Sequence, residues 1–486
     1  MNDVTSLLPD PADCGEPKGK SRDLAGRGHG LSAIFWLVEQ PWAILLSIPT
    51  VVAAAVTLIA KGSPLLFASS WIGVPLLGVG IPTALIIYGS RRRGKEPADW
   101  TPYLRFRDAV EAERWSGKKI PMEVLYEAYL AQRVSFVGDV REALLRRNQI
   151  FRFCFTPGDA KYFLLQFIEK KLGHGLRADR LDIAPNYDRG NDFYRAFLGD
   201  TMVYTCGLFR NPDESLEAAQ RRKLQTVCQY VQMKPGDRHL DVGCGWGALL
   251  THAASVHGTE STGVTLSREQ GEWATRLASE AGVSHRVRVL VDDYRNLPDD
   301  TYDKITCLEM AEHVGIRNFQ KFLLRMRALL KDDGVFYLQI AGLRREWQYE
   351  DLVWGLFMAK YIFPGADASC PLAFVVSQVE RAGFEVHRVE NCGAHYSVTI
   401  QKWYENWMRN EAGIVAKYGE RWFRLWRFFL GWSGIIAAQG TSTVFMITLT
   451  KNTANDRSSV TEEEAKGVAY SRRERWIGPN VVATQQ

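Results

Sequence analysis

The chain has 486 residues, more than one ordinary domain holds, so a catalytic core with additions is expected. Hydrophobic residues at 46% and charged ones at 24% are the balance of a folded protein, and a net charge of +5 is too small to point to a nucleic-acid partner. The eight cysteines form no C-x-x-C pair; their spacing offers neither a metal site nor a disulfide framework and suits a reducing compartment.

Residues 1–39 are expected to be a disordered cytosolic N-terminus, since the first thirty are polar and rich in Gly, Pro and charge. Residues 40–90 then hold two uncharged runs, about 42–60 and 65–89, separated by Lys61. Each reaches the roughly 20 residues that a membrane-spanning helix needs, and the short connector implies a hairpin. Arg22 and Arg27 precede the first run, and Arg91, Arg92, Arg93 and Lys95 follow the second. Positive charge on both outer flanks places both termini and the catalytic part in the cytosol. Residues 91–185 alternate charged and apolar positions at helical spacing, as in 121–131, and read as a helical linker region that either rests on the membrane surface or, the favoured reading, packs on the catalytic domain.

From 186 to 450 the pattern alternates strands and helices, predicting an α/β domain. Strands are expected at 238–242, 260–265, 286–291, 303–308 and 334–340. Two later candidates, 384–390 and 443–450, would complete a seven-stranded sheet. Phe319, Phe322, Leu323, Met326, Leu329 and Leu330 would form one helix face. Residues 451–486 are polar, lack periodicity and read as a tail.

The first strand of that domain ends in Asp241 and breaks into Gly243, Cys244, Gly245, Trp246 and Gly247 before a helix. Glycines let backbone approach a ligand closely, and open α/β sheets bind ligands at carboxyl ends of strands. The spacing differs from the dinucleotide G-x-G-x-x-G and resembles the first motif of S-adenosylmethionine-dependent methyltransferases. Thr265 and Leu266 end the second strand, where most methyltransferases of this type place an acid for the ribose; Gln270 lies one helical turn on. Asp293 and Tyr294 offer a carboxylate and a flat ring for adenine. Tyr204, Thr205 and Cys206 precede the sheet and are expected to close over the pocket. Glu312 and His313 follow the fourth strand, where a carboxylate can act as a base or steady a cation.

Five motifs carry a wider resemblance: YDRGNDFY at 187–194, VYTCG at 203–207, LDVGCGWG at 240–247, EMAEHVG at 309–315 and GAHYS at 393–397. In this order they resemble the cyclopropane-fatty-acid synthase family. KITCLEMAEHVG at 304–315, WQYEDLVWGLFM at 347–358 and FPGADAS at 363–369 resemble its sphingolipid C-9 methyltransferases, which also carry two membrane spans ahead of the catalytic domain. The resemblance implies a class I methyltransferase fold, Rossmann-like with a seven-stranded sheet, behind an N-terminal transmembrane hairpin. It implies S-adenosylmethionine as methyl donor and, as substrate, a Δ8-unsaturated sphingoid base in ceramide or glucosylceramide, reached from the lipid bilayer. A multi-pass protein of the endoplasmic reticulum is expected. Bicarbonate-using members hold that base with a Cys, a Glu, a His and a Tyr; here Cys206, Glu312 and Tyr396 match, but the His position is Gln339, which cannot carry positive charge. Bicarbonate is thereby in doubt, and Glu312 or a water it orients is expected to take the proton. A C-terminal cysteine of the family falls at Ser433. Arginines interleaved with aromatic rings at 421–432 fit either a helix at a headgroup surface or one buried against the sheet, and 347–358 poses the same question.

Overall fold

The computed structural model describes residues 97–162, 189–346, 348–364 and 370–453. The elements below belong to one of the chain's two compact units, Gly89–Arg345 with Tyr349–Gln486. The N-terminal segment, both uncharged runs, residues 163–188 and the tail from 454 lie outside the described residues. Among the described residues no helix is long and apolar enough to cross a membrane.

The linker region is not wholly helical. Its described part holds short strands β1 (Leu104–Phe106), β2 (Ile120–Pro121), β3 (Val134–Phe136) and β4 (Phe151–Arg152). β1 pairs antiparallel with β3 and β2 parallel with β4. Gly117 and Gly138, both at positive φ, interrupt the helical periodicity and leave room for these pairings. Between them, helix Met122–Leu130 buries Leu125, Tyr126 and Tyr129 and packs against helix Glu420–Ala438.

The main sheet contains β5 (Arg238–Val242), β6 (Glu260–Thr265), β7 (Val287–Val291), β8 (Tyr302–Leu308), β9 (Leu330–Leu343), β10 (Phe384–Asn391) and β11 (Ser442–Lys451). Its order is β10-β11-β9-β8-β5-β6-β7. The β9-to-β7 part is parallel, whereas β11 runs antiparallel to both β9 and β10. All seven expected strands are present within a residue or two, except β9, which starts earlier because Leu330 pairs with Tyr302. Leu330 therefore opens a strand rather than ending the helix Ile316–Leu329, whose Phe319, Phe322, Leu323, Met326 and Leu329 are buried as predicted.

Alternation along the strands separates two cores. Phe336, Leu338 and Ile340 join Phe445 and Ile447 in one cluster, which the Ile316–Leu329 face covers. Tyr337 joins Val444, Met446, Cys206 and Cys392 in the other. Gln339 shares the alternation of Tyr337 and therefore belongs with Cys206.

The basic-aromatic segment lies in helix Glu420–Ala438, and the structure favours burial. Phe423, Trp426, Phe428, Phe429 and Trp432 are buried. Arg424 donates to the carbonyls of Tyr129 and Val134, and Arg427 to that of Gly138, so these arginines tie the helix to its neighbours. Segment 347–358 overlaps helix Tyr349–Tyr361, which buries Val353, Trp354, Leu356 and Phe357. Ser433 is buried and accepts from the Trp354 indole at 3.3 Å, a packing contact.

Candidate active site

β5 delivers Asp241 to the floor of a cleft at the carboxyl end of the sheet. Its Oδ1 accepts from the Thr306 hydroxyl at 2.7 Å, and Thr306 also contacts His239 Nε2 at 2.8 Å. Burial, opposed by Thr306 and Lys223, pushes the Asp241 carboxyl up to about 6. Gly243, Gly245 and Gly247 all take positive φ, and the N–H groups of Gly243 and Cys244 donate to Val264 O. Two of the glycines serve different purposes. A Cβ on Gly245 would meet nothing within 4 Å, so that backbone faces open space. A Cβ on Gly247 would lie 2.6 Å from the Ala274 Cβ, so that glycine lets helix Arg268–Glu280 close on the loop.

The cleft has about 1150 Å³ of empty space, open to solvent on one side. Tyr204, Thr205, Asp241, Gly243, Cys244, Gly245, Trp246, Thr265, Leu266, Gln270, Asp293 and Tyr294 all line it. Gly247 alone of the expected donor-binding residues does not. Thr265 donates to Gln270 Oε1 at 2.7 Å, which joins the two groups expected at the ribose. The Asp293 carboxylate pairs with Arg295 at 2.6 Å and accepts the Arg295 N–H, which caps the turn presenting Tyr294. Trp246 donates to Asn191 Oδ1 at 2.6 Å and packs 4.9 Å from Tyr194, pinning helix Asn191–Leu198 beside the loop.

The expected catalytic residues divide. His313 lines the cleft, whereas Cys206, Glu312, Gln339 and Tyr396 do not. Glu312 points into the protein: its Oε1 accepts from the Ala341 N–H and its Oε2 is buried with no hydrogen bond to the described residues. Burial, and then the charge of Glu309, push Glu312 up to about 8, so it is mostly a neutral acid at pH 7. Burial pushes the Cys206 thiol well above its usual range, and its Sγ donates to Gly207 O at 3.3 Å. It is no thiolate nucleophile. Tyr396 packs on the cluster that holds Cys206 and Tyr337.

Two residues absent from the sequence expectations occupy the cleft. Glu309 takes a φ of 52°, in the left-handed region. Its Oε1 accepts from the Cys206 N–H at 2.8 Å and from Gln339 Nε2 at 2.6 Å. Lys223 is buried in helix Leu216–Tyr230 and donates to Thr205 Oγ1 at 2.8 Å. Burial lowers its ammonium to about 8, against the opposing pull of Glu309. The signal for Lys223 was present: it stands between Ala219 and Val227 at four-residue spacing, a cation on an apolar helix face.

Cys228, His252 and His257 also come together, their ligand atoms within 4.8 Å of one another, because a π-turn at Ala253–His257 brings the two histidines onto one side. They are capable metal ligands, but none lines the cleft.

Residues 174–447 match the sequence family described as mycolic acid cyclopropane synthetase. The chain is 48% identical to the sphingolipid C9-methyltransferase of Komagataella phaffii, a match covering 77% of this chain and 80% of that one. It is 50% identical to sphingolipid C9-methyltransferase A of Emericella nidulans, over 72% and 69% of the two chains. The crystal structure of mycolic acid cyclopropane synthase CmaA1 complexed with SAH and CTAB superposes with a TM-score of 0.54 at 26% identity, covering 56% of this chain and 98% of that one.

Proposed function

The chain belongs to the mycolic acid cyclopropane synthetase family, and from that membership we propose that it methylates carbon nine of a Δ8-unsaturated sphingoid base with S-adenosylmethionine as donor. The observation that carries this reading is the cleft itself: a glycine loop at the end of β5 opens beside a buried carboxylate, in a chain about half identical to named sphingolipid C9-methyltransferases.

The residues fit the donor. The open space at Gly245 admits a ligand against the backbone, Thr265 and Gln270 suit a ribose, and Tyr294 with Asp293 suits an adenine. Asp241, ionised above about pH 6, suits the donor's positive charge. When bound, S-adenosylmethionine supplies an electrophilic methyl group. The chain's own contribution is to hold that group dry and in line with an alkene, which is a weak nucleophile. As the methyl–sulfur bond breaks and neutral S-adenosylhomocysteine leaves, the new bond at carbon nine leaves a cation at carbon eight. Loss of the proton from carbon nine returns an electron pair to the double bond and gives a methyl-branched 8-ene; loss from the new methyl would close a cyclopropane instead.

The uncharged runs at 42–60 and 65–89 and their basic flanks support an anchor of two membrane helices with both termini cytosolic. An anchored cleft would receive its sphingolipid sideways from the bilayer. The test is expression in a host that makes Δ8-unsaturated sphingolipids, followed by lipid mass spectrometry. A gain of one CH2 on the sphingoid base is expected. A gain confined to phospholipid acyl chains would support the alternative, a cyclopropane or methyl-branched acyl synthase.

A further inference from the structure

We propose that Glu309, rather than Glu312 or a bound bicarbonate, is the base that removes the carbon-nine proton. This rests on the methylation reading above and names the group that completes it.

The geometry is specific. Of the two acids in the 309–315 motif, only Glu309 lines the cleft. One of its oxygens is held by two donors, the Cys206 N–H and the Gln339 amide. Its other oxygen has no hydrogen bond to the described residues and is left to accept a proton. Gln339 is itself oriented: Tyr337 donates to its Oε1 at 3.2 Å, which turns the NH2 toward Glu309. An amide donates there without competing for the proton, as a histidine would. The backbone is committed too, because the Glu309 N–H donates to Gln339 O at 2.8 Å while φ sits where side chains rarely settle.

Cys206 and Gln339, two of the positions that bicarbonate-using relatives devote to their ion, are thus spent on a carboxylate belonging to the chain. The two acids also differ in their surroundings. Burial and the charge of Glu309 push Glu312 up to about 8; burial also raises the Glu309 carboxyl, but there the Cys206 N–H, Gln339 and Lys223 oppose the rise. A base fixed to the protein has one place to stand, and that place selects the proton lost.

The experiment uses the full chain in detergent with a Δ8-unsaturated ceramide, comparing wild type with Glu309→Gln, Glu309→Ala and Glu312→Gln. Donor retention is measured alongside turnover. Glu309→Gln should keep the donor and lose about a hundredfold or more in turnover, the range for a lost general base. Glu309→Ala should recover part of its turnover in formate, whereas adding bicarbonate should leave wild type unchanged. A loss below tenfold in Glu309→Gln, a larger loss in Glu312→Gln, or bicarbonate dependence of wild type would overturn the proposal. If wild type methylates no sphingolipid, the functional reading fails instead, before any variant is compared.

Discussion

Substituting alanine at two glycines of one loop separates binding from folding. At Gly247, φ of +81° costs an L-residue about 1–2 kcal/mol. The new Cβ would also stand 2.6 Å from the Ala274 Cβ and 2.9 Å from its Cα, neither of which can rotate away. Overpacking of this kind costs about 1–3 kcal/mol, so Gly247→Ala should lose roughly 2–5 kcal/mol of stability. At Gly245, φ of +54° carries the backbone cost, but the Cβ meets nothing within 4 Å. Gly245→Ala should therefore lose only about 1–2 kcal/mol and stay folded, while its methyl group intrudes on the donor's space. Urea denaturation gives the stabilities, and titration with S-adenosylmethionine gives the affinities. A Gly247→Ala unfolding free energy within about 0.5 kcal/mol of wild type would refute the packing argument. Full donor affinity in Gly245→Ala would refute the assignment of that open space.

Other perturbations test the surroundings. Because folding raises the Asp241 carboxyl from 3.8 to about 6, its contribution to stability is fully present below 3.8 and lost as pH rises through 6. Asp241→Asn should therefore stabilise the unliganded chain at pH 8. Wild-type donor affinity should fall by up to about tenfold per pH unit below 6, and the variant should show no such slope. Arg147 pairs with Glu350 at 2.5 Å, both buried, and Trp432 also donates to Glu350. Arg147→Met should cost about 3–5 kcal/mol, and adding Glu350→Leu should restore much of it; equal losses in the single and double variants would contradict a desolvated pair. Trp246→Phe removes the donor to Asn191, so helix Asn191–Leu198 should exchange its amide hydrogens faster and donor affinity should drop. Unchanged exchange would mean the indole does not pin it.

The sheet was legible because its strands are short apolar runs punctuated by glycine and because β5 ends in the glycine loop. The helix face from Phe319 to Leu329 was equally plain from its spacing. Glu309 was overlooked since its partners lie far along the chain, Cys206 by 103 residues and Gln339 by 30. Only the pairing of β8 with β9 and the closure of the 203–207 segment bring them together. Glu312 drew attention through its motif, yet the turn Ala311–His313 aims it at the Ala341 backbone. The 421–432 segment was ambiguous because rings with interleaved arginines suit a lipid surface and a core equally. Carbonyls of a distant segment, reached by Arg424 and Arg427, decided it.

The most direct measurement follows the donor's methyl group with every hydrogen replaced by deuterium. Incubated with a Δ8-unsaturated ceramide, the full chain should place that group on carbon nine with all its deuterons retained, since the departing proton comes from the substrate carbon. A product that has lost one deuteron, or a label found outside the sphingoid base, would contradict it.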